Sequence, residues 1–137
     1  MSDPLSITAS IAAVLQLTSA IATYLKAVYD APQERISFLL EISGLESLLD
    51  ALQKRVDQAN SGDPWLTELQ ALGASISQFE SHLKRLASKL EPVGGLNFKE
   101  VARRLKWKFN KTDVEDTLAK IERMKSLIIF ALTNNIL

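Results

Sequence analysis

Between Asp3 and Lys26 the chain carries no charged residue, an unusual run in a sequence whose formal net charge is zero. From Leu5 to Leu25 it holds the large aliphatics Leu5, Ile7, Ile11, Val14, Leu15, Leu17, Ile21 and Leu25, several alanines and Tyr24. Its polar residues there are Gln16 and the hydroxyls Ser6, Thr8, Ser10, Thr18, Ser19 and Thr23. Asp3 as N-cap and Pro4 at the first helical position predict a helix over Leu5–Val28. At about 1.5 Å per residue it is long enough to cross roughly 30 Å of hydrocarbon.

The eight aliphatics are worth about −2.4 to −5 kcal/mol for membrane insertion. Gln16 and the hydroxyls oppose them, so the sum lies near zero. Small hydroxyls bond back to the carbonyl one turn earlier and are tolerated in lipid and in a protein core alike. The helix therefore suits either solvent: it is a central bundle helix, or one that can leave the bundle for a membrane. A secretory signal would need a basic start, and no Lys or Arg precedes Lys26. A constitutive single-pass anchor would have weak flanks. Ser2 stands where myristoylation needs glycine, and there is no cysteine to carry a lipid.

A chain of 137 residues supports one domain with its own core, and the absence of cysteine excludes a disulfide framework and thiolate metal sites. Sixteen basic residues balance sixteen acidic ones, so any electrostatic function must come from local clustering. Asp30-Ala31-Pro32 breaks the chain ahead of a second helix reaching about Ala59. There Ile36, Leu39, Leu40, Leu45, Leu48, Leu49, Leu52 and Val56 recur at helical spacing, with Glu34, Arg35, Glu41, Glu46, Asp50, Lys54 and Asp57 opposite. Asp63-Pro64 repeats the start signal and opens a third helix carrying Trp65, Leu66, Leu69, Leu72, Ile76, Phe79, Leu83, Leu86 and Leu90, which ends near Glu91-Pro92. Asn97 with Glu100, and Thr112 with Glu115, resemble capping boxes and bracket a short helix from Phe98 to about Lys108. The last helix carries Val114, Leu118, Ile121, Met124, Ile128, Ala131 and Leu132. Because it is apolar all round from Leu127 to Leu132, its tail is expected to be the most enclosed part. The simplest architecture is all-α: an antiparallel four-helix bundle with one extra short helix before the last long one. The chain reads as a domain cut from something longer.

Chemistry-bearing patterns are sparse. His82 is the only histidine and is expected on a solvated face; there is no Walker glycine loop, no G-x-S-x-G elbow and no inward Glu-x-x-His pair. The expectation is a protein that is not an enzyme and uses no cofactor. Charge is uneven only from Lys99 to Lys111, where Lys99, Arg103, Arg104, Lys106, Lys108 and Lys111 face a single acid, Glu100, with Phe98, Trp107 and Phe109 threaded among them. Cations beside aromatics suit an anionic membrane surface, at about 1 kcal/mol per charge and about 5 kcal/mol for the net five before screening. Alternatively the stretch is a solvated face whose Trp107 and Phe109 pack into the bundle. Nucleic acid is the least favoured partner, since no second basic surface exists.

Several segments taken together carry a resemblance. Asp3-Pro4-Leu5-Ser6-Ile7-Thr8 through Leu17, then Asp30-Ala31-Pro32, Asp63-Pro64-Trp65, Lys89-Leu90-Glu91-Pro92, Leu105-Lys106-Trp107-Lys108-Phe109 and Val114-Glu115-Asp116 to Leu132 resemble the fungal HeLo-like N-terminal domains, the HELL group in particular. A similar domain heads fungal proteins named after azaphilone pigment clusters. The likeness spans essentially the whole chain, with Lys108 where relatives often have proline after the tryptophan. It implies a cell-death execution domain of fungal innate immunity and heterokaryon incompatibility, similar to the four-helix bundle of mixed lineage kinase domain-like protein. Such domains head NLR-like receptors or amyloid-signalled effectors. Triggered through a C-terminal receptor or amyloid region, they self-associate into oligomers and move from the cytoplasm to attack the plasma membrane through the N-terminal helix. That role would fall here on Leu5 to Leu25, with the basic stretch docking on anionic lipid headgroups. The alternative is a non-lytic oligomerisation or adaptor bundle of the same signalling proteins.

Overall fold

The computed structural model describes residues 4–28, 31–90 and 107–133, with side chains from Ile7 onward. The elements are α1 (Pro4–Ala27), α2 (Glu34–Gln58), α3 (Pro64–Leu69), a 3₁₀ turn (Gln70–Leu72), α4 (Gly73–Ser88) and α5 (Lys111–Thr133). No strand occurs among the described residues. The expected Asp3 cap, the 97–100 box, the 91–95 break and most of the short helix before α5 lie outside them. Residues 107–110 are irregular.

The four long helices bury one stripe each. In α1, Ile7, Ile11, Val14, Thr18, Ile21 and Leu25 are buried, with Val28 just past its end, alternating steps of four and three residues, which is the spacing that keeps one seam facing a neighbour. Phe38, Ile42, Leu45, Leu49 and Leu52 do the same in α2; Ile76, Phe79, Leu83 and Leu86 in α4; Val114, Thr117, Ile121, Met124 and Ile128 in α5. α1 packs against α2 and α4, and α5 packs against the same two. The polar residue in the α1 stripe, Thr18, donates its hydroxyl to the carbonyl of Val14 and leaves nothing unpaired.

The third predicted helix is divided. Asp63 caps α3 by accepting from the backbone N–H of Trp65 at 2.9 Å, with Pro64 following as the start signal requires. The chain then tightens through Gln70–Leu72 before α4 begins at Gly73. Backbone angles stay in the right-handed region throughout, so the apolar spacing runs on unbroken across the tightened turn. Trp65 makes contacts of its own: its indole N–H donates to the carbonyl of Ala131 at 2.8 Å, and the Arg55 guanidinium lies 4.2 Å from its ring centre.

Two further expectations are corrected. The cap of α5 is not the Thr112–Glu115 pair but a reciprocal box two residues earlier. Asn110 Oδ1 accepts from Asp113 N–H at 2.7 Å, and Asp113 Oδ2 accepts from Asn110 N–H at 3.0 Å. The tail of α5 is not enclosed: Ile129 is 47% and Phe130 69% exposed, because only one side of the helix reaches α2 and α4.

Candidate functional site

α1 is the one helix among the described residues long and apolar enough to cross a membrane, over Ile7–Ala27, a test that the core helix of a soluble bundle also passes. Of the predicted membrane-inserting residues, Ile7, Ile11, Val14, Ile21 and Leu25 are in the core, Leu15 and Leu17 are half-buried, and the side chain of Leu5 is outside the described set. Ala9, Gln16, Ser19, Ala20, Thr23, Lys26 and Ala27 face outward. The helix thus turns its aliphatics to its neighbours and shows solvent a face of alanine and small polar groups. Beside it, a shallow groove of about 490 Å³ is lined by Leu15, Gln16 and Ser19 from α1 and Glu46, Ser47 and Asp50 from α2. Of the two acids on its rim, Asp50 pairs with Lys54 at 3.0 Å.

The C-terminal part of α1 holds the end of the basic stretch. Tyr24 is buried, its ring stacked on Trp107 at 6.3 Å and edge-on to Phe109 at 5.4 Å. Phe109 also meets Phe38 of α2 at 6.0 Å. The phenol oxygen accepts the backbone N–H of Lys108 at 2.8 Å. Burial pushes the Tyr24 phenol above its ordinary value, and the Lys108 N–H partly offsets this. Trp107 and Phe109 therefore anchor on the bundle, as the solvated-face reading expects, while the ammonium groups of Lys108 and Lys111 stay exposed. Lys111 lies 3.8 Å from Glu115, a distance that leaves it free for other anions. Lys99, Arg103, Arg104, Lys106 and Phe98 lie outside the described residues.

A polar clasp joins α4 to α5. His82, expected on a solvated face, is 7% exposed instead. It stands three residues after Phe79 and four before Leu86, at the edge of the buried stripe, and that spacing was the available signal. Its Nε2 lies 2.7 Å from Thr117 Oγ1, and Arg85 donates toward Nδ1 at 3.3 Å, which requires an unprotonated Nδ1 and an Nε2–H donating to the hydroxyl. Burial lowers its affinity for a proton, and Lys120 and Arg85 lower it further against the opposing pull of Asp116 and Asp113. Asp113 is buried; desolvation alone would raise its proton affinity. The hydrogen bonds from Lys89, at 2.6 Å, and from Asn110, with the charges of Lys89 and Arg85, bring it below the ordinary carboxylate value. Among the described residues no cluster of three or more His, Asp or Glu side chains is placed to hold a metal ion. The clasp is wired as a helix-to-helix fastening.

No family model matches the chain, and no curated protein or solved structure matches it either.

Proposed function

We propose that this chain is a HeLo-like membrane-targeting domain: a bundle in which successive long helices run antiparallel, α1 is released on oligomerisation, and the released helix disrupts the plasma membrane. The observation that carries the reading is the outward face of α1, which shows no charge before Lys26. A helix kept only for a soluble core has no need of an uncharged solvent side. Antiparallel runs are supported by Arg35, at the start of α2, donating to the Leu25 carbonyl near the end of α1 at 3.0 Å. Lys89 just past the end of α4 likewise meets Asp113 in the first turn of α5 at 2.6 Å.

The energetics of release favour this use of the fold. Moving Ile7, Ile11, Val14, Ile21 and Leu25 from core to hydrocarbon leaves them out of water in both places, so the transfer is close to neutral. The penalty falls on the core side chains of α2 and α4 that α1 covers, at about 1.5–3 kcal/mol for each one left wet. Packing against further copies of the chain removes that penalty, which is why self-association and insertion belong together. The basic segment docks on anionic lipid, and because Lys108 and Phe109 are tied to Tyr24, docking acts directly on α1. The trigger is a C-terminal receptor or amyloid region of the full-length protein.

The decisive experiment places a charge where the soluble fold tolerates it. Ala20 is exposed, so Ala20→Glu leaves the thermal midpoint of the bundle nearly unchanged while adding about 2.5–3.5 kcal/mol to insertion. Leakage of dye from anionic liposomes by the oligomer is expected for the native chain and lost in this variant. Undiminished leakage from folded Ala20→Glu protein overturns the proposal. Ile11→Glu is the poorer probe, since Ile11 is fully buried and the variant loses the bundle as well.

A second reading, a non-lytic adaptor bundle, is favoured by the exposed Ile36, Leu40, Ile129 and Phe130. A fluorescent fusion separates the two: recruitment to the cell periphery with death supports the first, and diffuse or punctate signal in surviving cells supports the second.

A further inference from the structure

Among the described residues, two pairs of large apolar side chains are exposed, and they stand at opposite ends of the bundle. Ile36 and Leu40, 53% and 68% exposed, flank Phe38, which packs on Phe109 beside the end of α1. Ile129 and Phe130 adjoin Ala131, whose carbonyl takes the Trp65 indole N–H under Arg55. Phe38 and Arg55 both belong to α2 and lie about 25 Å apart along its axis, so the pairs form no common patch. Their surroundings differ in charge. Lys26 follows Leu25, whose carbonyl meets Arg35, the residue before Ile36. Lys26, Lys108 and Lys111 are exposed at that end, and neither Lys26 nor Lys108 makes an ion pair among the described residues. The exposed acids there are Glu34 and Glu115, and Glu115 already has Lys111 at 3.8 Å. At the other end Asp57, Asp63 and Glu68 stand against Lys54 and Arg55, which are paired with Asp50 and Asp63.

We infer that Ile36 and Leu40 are the apolar anchors by which the folded bundle docks on an anionic bilayer. Their i, i+4 spacing puts both on one face of α2, and they enter the boundary between headgroups and acyl chains. Lys26, Lys108 and Lys111 meet the lipid phosphates and carboxylates around them, their stems lying along the apolar layer and their ammonium groups staying at its surface. Two observations select the bilayer: the exposed aliphatics offer area to bury, and the cations beside them have no committed partner. A second copy docking through the same patch would bring the same lysines together, which disfavours it. The inference rests on the membrane reading above and adds to it a docking step made with α1 still in its seam. It also separates the two exposed pairs, since Ile129 and Phe130, beside acids, face away from the lipid.

The chain has no cysteine, so Leu40→Cys or Phe130→Cys carries a nitrobenzoxadiazole label at one site only. The intact chain is mixed with vesicles of phosphatidylserine and phosphatidylcholine, or of phosphatidylcholine alone. Emission from the label at Leu40→Cys is expected to brighten and shift to the blue on the anionic vesicles, and to do so equally when Ala20→Glu blocks insertion. In that same background the label at Phe130→Cys is expected to stay in water. Ile36→Ser with Leu40→Ser removes exposed groups only, so the thermal midpoint is kept while co-sedimentation with anionic vesicles weakens by about tenfold or more. Lys26→Glu with Lys108→Glu provides an independent second disruption. A label at Leu40→Cys that stays in water, an equal response from Phe130→Cys, or undiminished binding by the folded serine variant overturns the inference. Leakage without a shift at Leu40→Cys would sink it and leave α1 insertion standing; a shift without leakage does the reverse.

Discussion

Asp113 serves three partners with one carboxylate: it accepts from the N–H of Asn110, the cap of α5, pairs with Lys89 and lies 3.8 Å from the Arg85 guanidinium. Asp113→Ala removes the return half of the capping box and leaves Lys89 without its acceptor, so a loss of about 1–3 kcal/mol is expected, read as a lower urea midpoint. His82 makes the neighbouring contact sensitive to acid. Its folded proton affinity lies below the ordinary value of 6.5, so the unfolded chain takes up the proton first. The stability it contributes is present above pH 6.5 and is lost as pH falls through that value toward the folded one. Asp113, held below 3.8, gives up its contribution only at more acidic pH. Urea titrations at pH 7 and pH 5 are therefore expected to differ, and His82→Gln is expected to flatten the difference. An undiminished pH dependence in that variant would assign it elsewhere.

At the scale of elements, the connection between the basic segment and α1 rests on a small aromatic nest. Phe109→Ala empties a buried site between Tyr24, Phe38 and Trp107 and is expected to cost about 3–5 kcal/mol in thermal or urea unfolding. Tyr24→Phe keeps the ring and removes the acceptor for the Lys108 N–H, and is expected to cost about 1 kcal/mol. The seams of α1, α4 and most of α5 were readable in the sequence, because alternating steps of three and four residues admit little besides a buried helical stripe. The start of α2 was misread: Ile36 and Leu40, counted in its stripe, are exposed, whereas Phe38 and Ile42, left out of it, are fully buried. The tail of α5 was not readable either. Leu127 to Leu132 is apolar on every side, so periodicity carries no information there about which face a neighbour covers. The Asn110–Asp113 cap was hidden for a different reason: Thr112 and Glu115 offer the same spacing two residues later, and the choice depends on Lys89 reaching Asp113 from α4. The candidate site was legible in part. The uncharged run named α1, and packing of Trp107 and Phe109 on the bundle was one of two readings, but their partner Tyr24, remote in sequence, was not legible.

For the whole molecule, membrane attraction and membrane entry belong to different parts of the chain. Neutralising Arg103, Arg104, Lys106 and Lys108 together is expected to weaken binding to anionic vesicles and flatten its salt dependence, measured by vesicle co-sedimentation across ionic strength. Unchanged binding in that variant would make the stretch a solvated face only. The bond from the Thr18 hydroxyl to the Val14 carbonyl bears on the other part. The polar atom at the heart of the α1 seam is satisfied by its own helix and asks nothing of α2 or α4. A rod that brings its own partner for the hydroxyl at mid-seam can change company there without stranding it, whether the new company is a sister protomer or an acyl chain.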